Sequence, residues 1–274
     1  MKKLWIFLSI LLLSSGLASA TDSNLEDQLR KTYAGSQQML RHFYLSDTLK
    51  FDASGNPANK EKEGSWTLLS GVLIDNVRLK PEKLELRGHR RMLVIDDQNK
   101  KLRSIKLDEK FSIEIVTQAG PDQATQLAGA LARVFVPADD LISVVPDYWR
   151  DYLARFSGKA TQGEPCEDSA TKLVSDDASG NKVSAGITEG GKIRDALPSY
   201  YEIAREKRVE GELALRAVID TTGSVTRVCI IKALGAGLDD MMVQTVRQWK
   251  YKPYTLNGQP VEIQTTVTTR FGLR

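Results

Sequence analysis

Gly235-x-Gly237 lies between a strand-like run and a helix-like run, in ALGAGLDDMMVQTVRQWKYKP at residues 233–253. A glycine pair in that setting can present backbone N–H groups to a pyrophosphate at a helix N-terminus. Three features argue against that chemistry here. The third glycine of the dinucleotide fingerprint is replaced by Asp240. Asp239 and Asp240 would repel phosphate and instead suit the positive end of the helix dipole. The preceding strand also comes out of a hairpin, not a βαβ unit. The turn therefore reads as a packing turn, with Gly235 and Gly237 allowing a tight reversal and close approach.

Other reactive residues are few. Cys166 and Cys229 are the only cysteines. In an oxidising compartment they can form one disulfide, closing a loop of roughly 60 residues and contributing about 4 kcal/mol in the chain-entropy model. The alternative is two unpaired thiols, with Cys229 packed in a strand. Neither has a His or Cys neighbour at zinc spacing. His42 in LRHFYL and His89 in RGHRR lack a metal partner at helical spacing. Asp96-Asp97 and Asp139-Asp140 read as turn and cap residues, not as a general acid/base pair. The basic run HRR with Lys100, Lys101 and Arg103 reads as a solvated sheet face, the other reading being contact with peptidoglycan or anionic lipid. No hydrolase or metalloprotease motif is present, so neither an enzyme nor a cofactor is expected. The net charge is +3, and it falls to +1 without Lys2 and Lys3, too balanced to suggest nucleic acid.

The elements that position these residues divide the 274-residue chain into four parts. Residues 1–20 read as a signal peptide: MKK, an apolar run and Ala18-Ser19-Ala20. Cleavage after Ala20 predicts a periplasmic protein with no remaining transmembrane segment; the alternative is an uncleaved inner-membrane anchor. Residues 21–157 predict an α+β domain of unknown role. Three stretches, 65–80, 83–97 and 101–118, carry antiparallel strand signals, broken by Pro81, Gly88 and Asp96-Asp97. PDQATQLAGALARVF follows as a helix with Leu127, Leu131, Val134 and Phe135 on one face, and DYWRDYLARF as another short one. Residues 158–197, rich in Gly, Ser and Asp, read as a linker with VSAGI as a short docked strand.

Residues 198–274 give the order α-β-β-α-β. Leu213, Leu215, Ala217 and Ile219 share a strand face, and Thr222-Gly223 turns the chain into a second strand. Leu238, Met242, Val246 and Trp249 form one helical stripe. The last strand, 261–271, places Val261, Ile263, Thr265, Val267, Thr269 and Phe271 on one face. The fold class is thus α+β: an N-terminal antiparallel sheet, then a three-stranded antiparallel sheet with helices on one face and a wet polar face on the other.

This last segment resembles the C-terminal domain of the TonB family. The matching residues are Tyr200 and Ala204; Arg208-Val209-Glu210-Gly211; Asp220 and Gly223; Gly237-Leu238-Asp239; Val246 through Pro253, including Trp249 and Tyr251; and Gly258-Gln259-Pro260-Val261. Gly211, Gly223, Gly237, Leu238, Trp249, Tyr251 and Pro253 are expected to be structural. The resemblance implies binding, not catalysis. Such domains take up an extended segment, the TonB box, of an outer-membrane receptor by strand addition. That implies a partner edge at Val261, Ile263, Thr265 and Val267. Tyr200 belongs to the segment that approaches the receptor in the family, but here the Tyr-Pro pair is replaced by Tyr200-Tyr201.

Two features of an energy transducer are missing from the sequence: a His in the apolar leader and a Pro-rich spacer. The expectation is a periplasmic protein that binds an outer-membrane receptor or other envelope protein, with a role in TonB-dependent transport. The alternative is an envelope scaffold that uses the domain for oligomerisation as a homodimer.

Overall fold

The computed structural model describes residues 22–137, 140–158, 174–175, 187–188, 192–194 and 202–272. The expected leader, Asp139, Cys166, Tyr200 and most of 158–197 lie outside the described residues. The chain forms two compact units that do not follow chain order. One comprises Met1–Met92 and Ser104–Val144, the other Leu93–Arg103 and Val145–Arg274.

The first unit contains α1 (Asp22–Tyr33), β1 (Gln37–Met39), β2 (Thr48–Phe51), α2 (Trp66–Leu69), β3 (Gly71–Lys80), most of β4 (Lys83–Asp96) and β5 (Lys101–Val116), α3 (Gln123–Val134) and α4 (Leu141–Val144). The sheet order is β1-β3-β4-β5-β2. β1 and β4 pair antiparallel with β3, but β2 runs parallel to β5, so the sheet is mixed and not purely antiparallel.

The stretch 65–80 was expected to be all strand. It begins instead as the helical turn α2, with Trp66 fully buried. Within β3 the buried residues change parity, from Val72 and Ile74 to Val77, because the register with β4 shifts between Ile74 and Asn76. A bulge adds one residue to a strand and moves the following side chains to the other face. Gly88 sits opposite this bulge inside β4 and does not break the strand. The core joins Leu25 and Leu29 of α1, Leu84 and Leu86 of β4, Ile113 and Ile115 of β5, and the expected stripe of α3: Leu127, Leu131, Val134 and Phe135.

The basic run does not form one face. β-strand alternation sends Arg90 into the core, where it is 2% exposed. Its guanidinium donates to Leu69 O at 2.6 Å, Tyr44 O at 2.9 Å and Ser46 O at 2.7 Å, and lies 5.4 Å from the Phe111 ring centroid. Burial pulls the Arg90 pKa down, opposed by Asp47 and Glu109. Arg91, on the opposite face, donates to Ser104 Oγ at 2.6 Å.

The second unit holds the β4–β5 tip, α5 (Asp147–Phe156), β6 (Val174–Ser175), β7 (Ile187–Thr188), β8 (Lys192–Arg194), α6 (Glu202–Glu206), β9 (Gly211–Ile219), β10 (Val225–Lys232), α7 (Leu238–Arg247), β11 (Lys250–Tyr251), β12 (Thr255–Leu256), β13 (Gln259–Pro260) and β14 (Ile263–Phe271). Its α-β-β-α-β frame matches the sequence reading. β9, β10 and β14 form the three-stranded antiparallel sheet, with β9 central, and β6 extends it beside β14. Three described pieces of the expected linker are strand-paired: β6 with β14, β7 with β12 and β8 with β11.

Candidate functional site

The β9–β10 turn is held by one carboxylate. Asp220 Oδ1 accepts from Thr222 N at 2.8 Å, Thr222 Oγ1 at 2.7 Å and Ser224 N at 2.9 Å. Gly223 adopts φ 81°, and a Cβ there would lie 1.9 Å from Tyr251 O. Its own carbonyl accepts from Tyr251 N at 2.8 Å. The turn thus fixes the chain leaving α7. That helix ends at Arg247, well before Pro253, and Trp249 and Tyr251 are buried beyond it. Pro253 itself is exposed.

The glycine turn before α7 holds another piece of the same chain. Ile95 N donates to Leu234 O at 2.8 Å and Ala236 N donates to Leu93 O at 2.8 Å, a short antiparallel bridge centred on Val94 and Gly235. A Cβ at Gly235 would stand 2.3 Å from Leu93 O, so close backbone approach is the reason for glycine there. Asp239 is fully buried and accepts from Leu234 N at 2.9 Å and Gly235 N at 2.6 Å. Burial pushes its carboxyl up to about 8, against the downward pull of those two amides.

Asp240 accepts from Tyr148 Oη at 2.8 Å and Trp149 Nε1 at 2.9 Å, both on α5. Tyr152 Oη donates to Asp97 at 2.8 Å, and burial raises the phenols of Tyr148 and Tyr152. α7 therefore buries Leu238, Met242 and Val246 as expected, and also Asp239, Asp240, Met241 and Val243. It is covered nearly all round, not on one stripe.

β14 is paired on one side by β9 over its full length, from Ile263↔Ile219 to Phe271↔Gly211. On its other side only Ile263 and Gln264 have a strand partner among the described residues, in β6. From Thr265 to Arg270, alternate N–H and C=O groups point away from β9 along an edge that no described strand pairs. Ile263, Val267 and Phe271 are buried on one face, Thr265 is half-buried, and Thr268 and Arg270 are exposed. The opposite face is not wet throughout: Ala214, Val218, Cys229 and Gln264 are buried. Gln264 accepts from Arg216 Nε at 2.7 Å when its amide oxygen faces that residue.

Of the expected edge residues, Ile263, Thr265 and Val267 lie in β14. Val261 precedes it, and its N–H donates to Tyr254 O at 2.9 Å across the hairpin that reverses at Asn257-Gly258. Cys229 is disulfide-bonded. Sequence reasoning missed the pairing of residues 93–95. Its signal is the unbroken apolar run Met92-Leu93-Val94-Ile95, all buried, which marks a strand covered on both faces.

In the first unit, a groove of ≈ 560 Å³ is lined by Asp75, Glu85, Arg87, His89 and Glu114 among others. Several of these charges are paired with neighbouring side chains. His89 pairs with Asp75, Arg87 with Glu85, and Lys83 with Glu114 at 2.5 Å. Among the described residues no group of three His, Cys, Asp or Glu is arranged to hold a metal, and no helix is long and apolar enough to cross a membrane.

A small α+β module is what the second unit presents; among the described residues, its sheet leaves the outer edge of β10 and the outer edge of β14 beyond Gln264 without a strand partner. Residues 196–273 match the family described as the Gram-negative bacterial TonB protein C-terminal. The segment is a TonB C-terminal domain. Protein TonB of Vibrio cholerae serotype O1 is 30% identical over 77 residues, 28% of this chain and 32% of that protein. Protein TonB of Xanthomonas campestris pv. campestris strain B100 is 32% identical over 77 residues, covering 28% and 34%. The chain thus spans about a third of the length of the curated relatives it matches. The solution structure of the Pseudomonas aeruginosa TonB C-terminal domain covers 34% of this chain and 91% of its own, at 19% identity and a TM-score of 0.28.

Proposed function

We propose that the second unit binds an extended segment of a cell-envelope partner by strand addition to the outer edge of β14. The observation that carries this reading is the contrast between the two edges of β14. One is paired by β9 over nine residues, Ile263–Phe271, and the other has no described strand beyond Gln264. Main-chain hydrogen bonds along Thr265–Arg270 supply affinity, and alternate side chains on the two faces supply selectivity. The family match to Gram-negative TonB supports an outer-membrane receptor as the partner class, a periplasmic location after removal of residues 1–20, and a role in TonB-dependent transport. Binding, not catalysis, is the activity of this unit.

The test uses synthetic extended peptides copied from the periplasm-facing N-terminal segments of outer-membrane receptors. Binding is followed through the β14 amide resonances of the full chain. Peptides that bind should perturb Thr265–Arg270 in sequence. Methylating alternate peptide nitrogens should abolish binding in one phase of the alternation and spare it in the other, because only every second amide faces the edge. Thr265→Pro should lose binding. Val267→Pro is less informative, since Val267 is buried. Binding that ignores N-methylation would sink strand addition. A mass that rises with concentration, without peptide binding, would favour homodimeric scaffolding through the same edge.

A further inference from the structure

The outer edge of β14 is partly taken. Ile263 and Gln264 pair in parallel with Val174 and Ser175 of β6, a segment of the same chain. A short extended segment hydrogen-bonded to this edge is the arrangement an incoming strand would adopt. We propose that the chain carries its own competitor for the docking edge: β6 holds the first positions of β14, and a partner strand gains the full edge only by displacing it. This rests on the strand-addition reading above.

The lengths of the pairings set the strength of the competition. β9 holds β14 over nine residues, whereas β6 holds two. A two-residue pairing contributes one or two net hydrogen bonds, a factor of about ten in an equilibrium constant. That is weak enough to yield to a longer strand and strong enough to reject a poor one.

The register supplies a tether. Cys229 of β10 lies opposite Arg216 of β9, and Arg216 lies opposite Thr266 of β14. Cys229 is disulfide-bonded, and the other cysteine of the sequence, Cys166, precedes Val174 by eight positions. Strands lie about 4.8 Å apart, so β10 to β6 is about 14 Å across the sheet, and eight extended residues reach about 26 Å. A Cys166–Cys229 bond is part of the same proposal. It keeps β6 beside the edge and raises its local concentration.

The experiment compares the full chain with Val174→Pro and Ser175→Pro, each of which removes a backbone N–H from β6. Amide hydrogen exchange should show one of Ile263 and Gln264 protected in the parent and fast in the variant whose lost N–H faces β14, because adjacent strand amides point to opposite sides. The β14 amides facing β9 should stay protected, which verifies the fold. Unchanged exchange in both variants overturns the pairing. In titrations with the receptor-segment peptides, that variant should bind about tenfold more tightly than the parent. Equal affinity overturns the competitor while leaving strand addition intact, and binding by neither form overturns both. Cys166→Ser should give a smaller gain in the same direction; no gain removes the tether from the proposal.

Discussion

Arg90 in the first unit and Asp239 in the second are both buried, and each ends on backbone groups of the opposite kind. Arg90 gathers the carbonyls of Tyr44, Ser46 and Leu69; Asp239 gathers the amides of Leu234 and Gly235. A loop or turn end folded inward leaves C=O or N–H groups without ladder partners, and a buried unpaired group is costly. Each unit meets that need with one ionisable side chain. The two solutions differ in what pH does to them. A guanidinium keeps its proton at any ordinary pH, but a carboxyl pushed up to about 8 changes state near neutrality. The first unit should therefore be indifferent to pH at its centre, and the second should not.

The largest effect tests the cationic centre. Arg90→Leu leaves three carbonyls without a donor and should cost the first unit about 4 kcal/mol. Urea unfolding followed at Trp66, which is buried in that unit, reads it. A cost under about 1 kcal/mol would mean that water reaches those carbonyls and that Arg90 is not the anchor.

Gly223→Ala tests the second unit at its turn. The methyl group would overlap Tyr251 O, and φ 81° disfavours any side chain. A loss of about 3 kcal/mol is expected in the unfolding midpoint followed at Trp149 and Trp249. Asp240→Ala should cost about 2 kcal/mol, since it removes the carboxylate that accepts from the Trp149 N–H and the Tyr148 hydroxyl. Equal stability of the alanine variant would show that α5 is held by packing alone.

The pH contrast comes next. Asp239 is raised in the folded state, so its contribution is fully present below the unfolded carboxyl range and is lost as pH rises through about 8. The stability of the parent relative to Asp239→Asn should fall across that window, by up to about 1.4 kcal/mol per pH unit. Arg90→Leu should shift the first unit by a constant amount over the same range. A flat profile for Asp239→Asn would place the carboxylate in its charged form throughout. Smallest of all, Lys83→Ala removes a partly exposed pair with Glu114 and should change stability by less than about 1 kcal/mol.

Local pattern carried most of the second unit. The alternation of 213–219, the Asp220–Gly223 turn, the stripe Leu238-Met242-Val246 and the apolar face of β14 each follow from neighbours a few residues apart, and the structure repeats them. The first unit was less legible. A bulge after Ile74 changes the parity of β3, and a two-residue period cannot announce where it is interrupted. The basic run at 89–91 looked like one surface because composition ignores alternation, and alternation put Arg90 inside.

The docking edge shows the same division. The sequence by itself determined that a last strand with an apolar face lies within 261–271 and that a helix and hairpin stand beside it, because those properties reside in side-chain period and turn residues. Only the tertiary structure decided that Val261 falls outside the strand, that residues 93–95 join the glycine turn, and that Val174 and Ser175 cover the first two positions of the edge. Those contacts are made by backbone N–H and C=O groups, which every residue but proline carries alike. The chain's three-dimensional path chooses their partners, and residue type leaves little record of the choice.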